Sequence, residues 1–383
     1  MIKERMIGCV PVEVDIREAN EVYFEKKYAD LIEEPGISGV ISMIYNANGS
    51  EHLPLSVFIE LTNRCNFACP FCYINEEGVQ HSSVPSFNEL KNTLDYLIDK
   101  GLLYCVLTGG ECLLHPSFTD IYRYLKELGV LVTVFTNGYL LDKGILDLFC
   151  EYKPFKIEIS LYGIDDYSYR TTTKVASVCA QRVFDNVLAL KNAGINVVCK
   201  TPITSLTESS YEQIEQWCKE NEISFYSGTE LMNTYSGEER NPYLASTEIR
   251  ERFRTESDAQ FLADESMQKF AFSEKKQRIN FDCSAGRTDV MIDSQYNLLP
   301  CMKAAWLPQW KFDIKAMGIK TAYEQLVEKI NSAKGTPLRY CVGCEHNGVC
   351  QECFMTQYEH EDLRTHRLEY CKSLKRFFAE NKH

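Results

Sequence analysis

The sequence predicts an α/β fold, a partial (β/α)6 TIM-like barrel followed by a small cysteine-rich domain. Between residues 55 and 228, short apolar runs alternate with amphipathic helical segments, which is the pattern of right-handed βαβ units around a parallel sheet. Six such units would form a barrel open on one side rather than the closed eightfold form. From residue 283 onward this periodicity is lost and cysteines replace it, which indicates a domain organised by metal.

The barrel prediction rests on segments whose ends carry local signals. The predicted strands are 57–61, 104–107, 130–135, 156–161, 195–200 and 223–226, and the predicted helices are 87–100, 118–128, 142–149, 181–193 and 211–220. Ser86 precedes the first helix as a candidate N-cap, with Glu89 three residues later, as in a capping box. Gly129 and Gly194 are expected to close the second and fourth helices.

The chain divides into four predicted parts. They are a preamble at 1–54, the barrel at 55–228, a polar linker with a helix at 229–280, and the cysteine-rich domain at 281–383. The preamble is expected to be small and strand-containing, because residues 10–16 and 39–45 are short apolar or alternating stretches.

Composition and charge restrict the classes of function. The chain is 45% hydrophobic and 25% charged, which is ordinary for a globular protein. The net charge of −13 argues against a broad nucleic-acid surface, since phosphate binding needs clustered Lys and Arg. There is no apolar run of about 18 residues and no signal-peptide-like start, so we expect a cytoplasmic protein without a membrane partner.

Cysteine usage is the most unusual feature of the composition. Of the 17 cysteines, ten form two compact sets, and in a cytoplasmic protein such spacings indicate metal rather than disulfides. The other seven are scattered and are expected to be small buried residues. They are Cys9, Cys105, Cys112, Cys150, Cys179, Cys199 and Cys218.

The first set is Cys65, Cys69 and Cys72, with the spacing C-x3-C-x2-C directly after the first predicted strand. Three thiolates at this spacing can bind three irons of a 4Fe–4S cluster and leave the fourth iron open. Zinc is the alternative, because thiolates also bind zinc, but a structural zinc site needs four ligands. The end of a barrel strand, where active sites of βα barrels lie, favours the cluster.

This loop resembles that of the radical S-adenosylmethionine (SAM) superfamily, with Phe71 at the family's aromatic position before the last cysteine. The resemblance implies SAM bound to the open iron and cleaved reductively to a 5′-deoxyadenosyl radical, which abstracts a substrate hydrogen. Gly109, Gly110 and Glu111 follow the second strand and resemble the family's GGE motif. The resemblance implies that they hold the SAM ammonium.

Three more residues are candidates for SAM binding by the same resemblance. Ser160 ends the fourth strand and resembles the family's ribose-binding serine, with an ordinary polar strand-end residue as the alternative. Arg170 and Lys200 are candidates for the SAM carboxylate, with a solvated surface position as the alternative for each.

The second cysteine set lies near the C-terminus and contains two C-x2-C gaps. Its members are Cys283, Cys301, Cys341, Cys344, Cys350, Cys353 and Cys371. Zinc ribbons are the alternative, but seven thiolates do not divide into two complete zinc sites, whereas an iron–sulfur cluster tolerates a different fourth ligand.

Beside the radical SAM motifs, the second set resembles the SPASM domain of that superfamily, which implies two auxiliary clusters, expected to be 4Fe–4S. The resemblance assigns Cys341, Cys344, Cys350 and Cys371 to one cluster, and Cys283, Cys301 and Cys353 to the other. The sequence departs from the family at Tyr296, where a glycine is usual, and in the short gap before Cys353. The nuclearity and fourth ligand of the Cys283 cluster stay open.

The resemblance implies an enzyme that abstracts a hydrogen from a ribosomal precursor peptide and installs a thioether or carbon–carbon cross-link, served by a reductant such as flavodoxin or ferredoxin. The SLYG run at 160–163, with Tyr167 and the threonines 171–173, resembles peptide maturases. The substrate, the bond formed, the role of residues 1–54 and the oligomeric state stay open.

Alternatives to a peptide cross-linking enzyme share the same motifs. They are an anaerobic sulfatase-type formylglycine maturase, a small-molecule or haem-pathway oxidoreductase, and an iron–sulfur electron-transfer protein. Met302 stands where formylglycine maturases carry an aspartate base, which counts against the first alternative. The GGE element and an open first cluster count against the last.

Overall fold

The structure, a computed structural model, describes residues 1–18, 22–32, 36–49, 52–75, 84–263, 281, 283–335, 353 and 355. The chain forms two compact units, the first of residues 1–250 with 285–327 and the second of residues 251–284 with 328–383. Every strand described below belongs to the first unit. In the second unit, the described residues are the C-terminal portions of two helices and a few positions around the cysteines.

An antiparallel sheet begins the chain. It contains β1 (Ile2–Ile7), β2 (Val10–Asp15) and β3 (Val22–Tyr23), in the order β1-β2-β3, and is followed by α1 (Lys26–Ala29) and α2 (Gly36–Ala47). The prediction of a strand at residues 10–16 is therefore confirmed. The prediction for residues 39–45 is wrong, because they lie within α2. The reason is that Ile37, Val40, Ile41 and Ile44 recur at helical spacing.

The barrel is built from alternating strands and helices, as predicted. They are β4 (Ser56–Glu60), α3 (Phe87–Asp99), β5 (Tyr104–Thr108), α4 (Phe118–Glu127), β6 (Leu131–Thr136), α5 (Lys143–Glu151), β7 (Lys156–Ser160), α6 (Asp166–Thr173), α7 (Ala180–Asn192), β8 (Val197–Pro202), α8 (Tyr211–Glu220) and β9 (Ser224–Gly228). Each strand pairs in parallel with the next, so the α/β fold class is confirmed. Helix α6 lies in a stretch where no helix was expected.

The helix ends follow the predicted signals. Ser86 forms a complete capping box, because Glu89 N–H donates to Ser86 Oγ at 3.3 Å and Ser86 N–H donates to Glu89 Oε2 at 2.8 Å. An N-cap of this kind stabilises a helix by about 1 kcal/mol. Gly129 and Gly194 end α4 and α7 with φ values of 74° and 72°, in the left-handed region that glycine adopts at least cost.

Three further strands continue the same sheet beyond β4. They are β10 (Asp289–Ile292), β11 (Asn297–Leu299) and β12 (Phe312–Asp313), with α9 (Thr247–Ala263) before them and α10 (Ile314–Met317) and α11 (Ile319–Ala333) after them. Within the described residues the sheet thus has 9 strands in the order β12-β11-β10-β4-β5-β6-β7-β8-β9. β10 pairs in parallel with β4, with Asp289 opposite Ser56.

Burial in the core of the first unit explains why its central strands β4 and β5 are mainly apolar. All residues of β5 are buried, and β4 is buried at every position except Phe58. Strands covered on both faces are typical of parallel α/β sheets. Because β4 to β9 run parallel, their carboxyl ends meet at one edge, where the following loops converge.

The predictions for individual cysteines have different outcomes. Cys341, Cys344, Cys350 and Cys371 lie outside the described residues, and the four domain boundaries stay predictions. Of the scattered cysteines, Cys105, Cys112, Cys199 and Cys218 are buried as expected. The expectation is wrong for Cys9, Cys150 and Cys179, which are exposed at a turn, a helix end and an N-cap. None of the described helices is long and apolar enough to cross a membrane.

Candidate active site

The first cysteine set lies in the loop that follows β4, at the carboxyl edge of the sheet. The Cys72 N–H donates to the Cys69 carbonyl at 3.1 Å, which closes a turn between these two residues. The Ala68 N–H donates to the carbonyl of Thr173, at the end of α6, at 2.8 Å. Cys65, Cys69 and Cys72 all carry free thiols in a loop held from two sides.

The three cysteines differ in exposure, since Cys69 is buried, Cys72 is half-buried and Cys65 is exposed, and their charges act on one another. Burial raises the pKa of Cys65 to about 12, and burial followed by the charges of Cys72 and Cys65 raises the pKa of Cys69. Burial and then the Glu60 charge raise the pKa of Cys72, while backbone amides and the Arg240 charge act in the opposite direction. Thiolates grouped in this way are stabilised by bound metal, which displaces their protons, so the donor set fits a metal cluster.

Within the described residues, no group of three or more His, Cys, Asp or Glu side chains could hold a single metal ion. In a cubane cluster the thiolates bind different irons, so a site for one ion is not what such a cluster needs.

The two glycines after β5 pack directly against the cysteine loop. Gly110 N–H donates to the Thr62 carbonyl at 2.7 Å, and Glu111 N–H donates to the Arg64 carbonyl at 2.8 Å. A Cβ atom at Gly109 would lie 2.5 Å from the Thr62 oxygen, and one at Gly110 would lie 2.3 Å from the Arg64 oxygen. Only glycine fits at either position, so this pair fixes the start of the cysteine loop.

Glu111 is fully buried and directs its carboxylate toward the protein. Its Oε1 accepts from the Thr136 hydroxyl at 2.8 Å and from Leu113 N–H at 3.1 Å, and its Oε2 accepts from Asn137 N–H at 2.8 Å. Burial raises the pKa of Glu111, and these hydrogen bonds act in the opposite direction. Glu111 therefore ties the turn after β5 to the end of β6, and it does not line the cleft described below.

Asn137 is a site residue that sequence reasoning treated only as part of a turn. Its side-chain amide donates to Asn66 Oδ1 at 2.8 Å and approaches the Cys65 Sγ at 3.8 Å. Its backbone is held by Glu111. Asn137 thus joins the buried carboxylate to the first cysteine of the loop.

A cleft of about 530 Å³ opens at this edge of the first unit, within the range of about 300–1,000 Å³ typical of small-molecule sites. Among the predicted site residues, those that line it are Cys65, Phe71, Cys69, Cys72, Gly109, Gly110, Ser160 and Lys200. The fold therefore brings together residues in or directly after four strands of one sheet, β4, β5, β7 and β8. Of the residues predicted to bind the first cluster or SAM, Glu111 and Arg170 lie outside the lining of the cleft.

Lys200 and Arg170 have different environments. The Lys200 ammonium lies 3.1 Å from Glu158 Oε2 and 3.4 Å from the centre of the Phe135 ring. Burial lowers the pKa of Lys200, and the Glu158 charge acts in the opposite direction. Arg170 lies on the exposed surface of α6, in an ion pair of 3.3 Å with Asp166.

Aromatic rings surround the thiols. The Tyr162 ring lies 6.1 Å from both Phe67 and Phe71, and Phe67 also packs against Tyr139 at 5.6 Å. Burial and then the nearby thiols raise the pKa of Tyr162, which places its ring beside the cysteines. Phe71 was expected here from its place in the motif, whereas the other rings carry no spacing signal.

The far wall of the cleft comes from later parts of the chain. Glu230, Leu231 and Met232 follow β9, and Met302 follows Cys301. The wall is therefore largely apolar, and Glu230 contacts Lys303 at 3.2 Å in an exposed ion pair. Cys301 belongs to the first unit, and Cys283 and Cys353 belong to the second.

Comparison with known proteins identifies this arrangement. Residues 59–220 match the family model of the radical SAM superfamily. The chain carries a radical SAM domain. This domain covers the strands β5 to β8 and the cysteine loop, and the family implies a 4Fe–4S cluster and SAM.

Relatives that share the radical SAM domain include peptide biosynthesis proteins and a nucleotide cyclase. The antilisterial bacteriocin subtilosin biosynthesis protein AlbA of Bacillus subtilis is 40% identical over 101 residues, 26% of this chain and 22% of AlbA. The sporulation killing factor maturation protein SkfB of B. subtilis is 28% identical over 35% of this chain and 33% of SkfB. The GTP 3′,8-cyclase of Thermodesulfovibrio yellowstonii is 25% identical over 51% of this chain and 62% of that enzyme. The chain thus spans less than two thirds of each.

Solved structures share the fold over most of the chain. The crystal structure of Streptococcus suis SuiB bound to precursor peptide SuiA matches with a TM-score of 0.63 and 16% identity, covering 94% of this chain and 96% of SuiB. Native anSMEcpe with bound AdoMet matches with a TM-score of 0.60 and 17% identity, covering 85% of this chain and 96% of that chain. At such low identity these matches show the fold alone.

Proposed function

We propose that this chain is a cytoplasmic radical SAM enzyme that modifies a ribosomally made precursor peptide. The observation that carries the proposal is the cleft whose lining contains the three cysteines together with Gly109, Gly110, Ser160 and Lys200. The ligands of the cluster would be Cys65, Cys69 and Cys72. When bound, the cluster supplies the electron that cleaves SAM to methionine and a 5′-deoxyadenosyl radical.

The residues around the cleft would bind and orient SAM. Lys200 presents a half-buried ammonium, which also contacts Glu158 at 3.1 Å, on the lining of the cleft, and suits the SAM carboxylate better than Arg170, which is exposed and outside the lining. Ser160 offers a hydroxyl at the same wall for the ribose. Glu111 would act through the backbone turn that it holds, and the aromatic rings around Tyr162 would exclude water.

A peptide substrate is favoured by the apolar part of the cleft lining that follows β9 and Cys301. Leu231, Met232 and Met302 offer apolar and adaptable surface for side chains of different shape. AlbA is a bacteriocin biosynthesis protein, SkfB is a killing-factor maturation protein, and SuiB has been solved bound to the precursor peptide SuiA. These relatives support the same class of substrate here.

The GTP 3′,8-cyclase match gives a second candidate function, since it covers more of this chain than AlbA does. A nucleoside triphosphate needs several cationic side chains to balance its charge. Among the described residues that line the cleft, Lys200 is the sole Lys or Arg. The cleft therefore favours the peptide over the nucleotide, and Met302 in place of an aspartate base disfavours formylglycine formation.

Cross-linking requires removal of a second electron. The substrate loses one hydrogen atom to the 5′-deoxyadenosyl radical, and the new bond forms as one proton and one electron leave. We propose that two auxiliary clusters would supply the acceptor for this electron; Cys341, Cys344, Cys350 and Cys371 would hold one, and Cys283, Cys301 and Cys353 would hold the other. A flavodoxin or ferredoxin would deliver the electron that starts the reaction.

The test uses protein purified and reconstituted without oxygen. We expect reduction with dithionite to produce 5′-deoxyadenosine from SAM. We also expect a peptide encoded beside the gene to lose two hydrogens. If the peptide is deuterated, mass spectrometry should find one of its deuterium atoms in 5′-deoxyadenosine. Replacing Cys65, Cys69 and Cys72 together with Ala should abolish both products and remove about four irons per chain. Cys150→Ala is the matched control, since Cys150 is exposed and belongs to neither of the two cysteine sets. Stoichiometric zinc with little iron in the wild type would contradict the proposal.

A further inference from the structure

A segment beyond the family match returns to the cysteine loop. This segment, residues 230–246, is here called the strap; it follows β9 and lies outside the matched residues 59–220. Tyr235 in the strap donates its hydroxyl hydrogen to Glu60, at the end of β4. Farther along, Leu244 forms a bridge with Thr204 after β8, and Ser246 N–H donates to Glu208 at 2.7 Å. The strap therefore connects the ends of distant barrel strands.

Arg240 is the strap residue that reaches the cysteine loop. One terminal guanidinium nitrogen, Nη2, donates to the Cys72 carbonyl at 3.2 Å and to the Asn75 carbonyl at 2.5 Å. The Cys72 carbonyl also accepts from Asn75 N–H at 3.2 Å, and the Asn75 side chain donates to the Cys69 carbonyl at 3.2 Å. Arg240 thus holds the turn that contains the last two cysteines.

The charge of Arg240 is largely removed from water. Its side chain is only 9% exposed, whereas its ion-pair partner Glu238, at 3.3 Å, is 64% exposed. An ion pair with an exposed partner is screened by solvent, so Glu238 offsets only part of the Arg240 charge. The Arg240 Nε is buried without a hydrogen-bond partner among the described residues. The Arg240 guanidinium lies next to the backbone of Cys72, and its charge acts on this cysteine in the direction opposite to the charge of the buried Glu60.

We propose that Arg240 is a positioning residue for the iron–sulfur cluster, holding the Cys72–Asn75 turn and placing a positive charge beside the last cysteine ligand. The inference rests on the proposed function, because it assumes a cluster on Cys65, Cys69 and Cys72. Reduction adds an electron to the cluster, and a nearby positive charge favours the reduced state. Arg240 therefore makes the cluster easier to reduce.

Two variants separate geometry from charge. Arg240→Gln removes the charge and the forked donor, whereas Arg240→Lys keeps the charge and loses the planar fork. Arg250→Gln is the matched control, because Arg250 lies in α9 and donates to a backbone carbonyl outside the cysteine loop, that of Ala245, at 3.0 Å. Iron content of each variant shows whether the cluster still assembles.

The first measurement is hydrogen exchange of the metal-free protein over residues 65–75. Loss of a charged hydrogen bond corresponds to roughly a 10- to 100-fold change in an opening equilibrium. We expect exchange in this peptide to rise by about that factor in Arg240→Gln, to rise less in Arg240→Lys, and to be unchanged in Arg250→Gln. Unchanged exchange in Arg240→Gln would overturn the positioning role.

The second measurement is the ratio of reduced to oxidised cluster at a fixed potential, read by electron paramagnetic resonance. We expect the ratio to fall about tenfold in Arg240→Gln, which is about 59 mV for one electron, and to stay near wild type in Arg240→Lys. An iron-loaded Arg240→Gln protein with the wild-type ratio would overturn the proposal. So would an equal fall in Arg240→Lys, since Arg240 would then act through structure alone. A wild type that binds no iron would instead contradict the proposed function.

Discussion

Single residues at this site act mainly by fixing the backbone that carries the cysteines. Glu111 is the clearest case, because the Thr136 hydroxyl and the Asn137 amide occupy its carboxylate oxygens. The GGE resemblance implied a contact with the SAM ammonium, and a triplet of residues cannot distinguish that contact from a structural one. The orientation of the carboxylate depends on β6, which lies far from the triplet in sequence.

Substituting Glu111 tests this structural role directly. Glu111→Gln would place an amide NH2 against neighbouring hydrogen-bond donors, so we expect the free energy of unfolding to fall by about 1–3 kcal/mol even without SAM. Urea unfolding of the metal-free protein measures the change, and Glu215→Gln on the exposed face of α8 is the control. Unchanged stability combined with weaker SAM binding would show that Glu111 acts only as a ligand of SAM.

At the scale of elements, sequence reasoning located the strands that are long and apolar. β4 to β9 match predicted segments, because burial leaves mainly apolar runs in β4 to β6, because apolar and polar residues alternate in β7, and because β8 and β9 alternate between more and less buried positions. β10 to β12 were missed, since strands such as Asn297–Leu299 and Phe312–Asp313 are too short to show a period. The same limit applies to the site, where Arg240 and Asn137 reach the cysteines from loops that no motif marks.

The contact between the β5 turn and the cysteine loop gives a prediction at this scale. Gly110→Ala would place a Cβ 2.3 Å from the Arg64 carbonyl oxygen, so the loop must move. We expect iron binding on reconstitution to fall severalfold while the helical content stays unchanged. Gly228→Ala is the control, because a Cβ there meets nothing within 4 Å. Normal iron loading of Gly110→Ala would mean that the two loops adjust independently.

At the scale of the first unit, the N-terminal sheet and the barrel share one core. Ile7 and Val12 from the N-terminal strands belong to the same buried cluster as Leu55, Leu103 and Leu131 from the barrel. The preamble is therefore part of the packing that stabilises the barrel. Length and pattern alone could not reveal this, because they say nothing about which faces meet.

A shared core predicts a shared unfolding transition. Ile7→Ala should lower the free energy of unfolding of the barrel by about 2–5 kcal/mol, since it removes buried methyl groups. Ile2→Ala, at a side chain that is 47% exposed, should have little effect. Tryptophan fluorescence and far-ultraviolet circular dichroism should report one common transition for this unit. Separate transitions, with the barrel unaffected, would show that the preamble folds alone.

The pairing of β10 with β4 has a consequence for how the chain is made. Ser56 emerges from the ribosome long before its partner Asp289, so one edge of β4 stays unpaired while the rest of the barrel is synthesised. Open strand edges can pair with other chains, and contacts between distant residues form slowly. We therefore expect nascent chains stalled before residue 289 to aggregate and to need chaperones, whereas chains that extend past β12 should be protected.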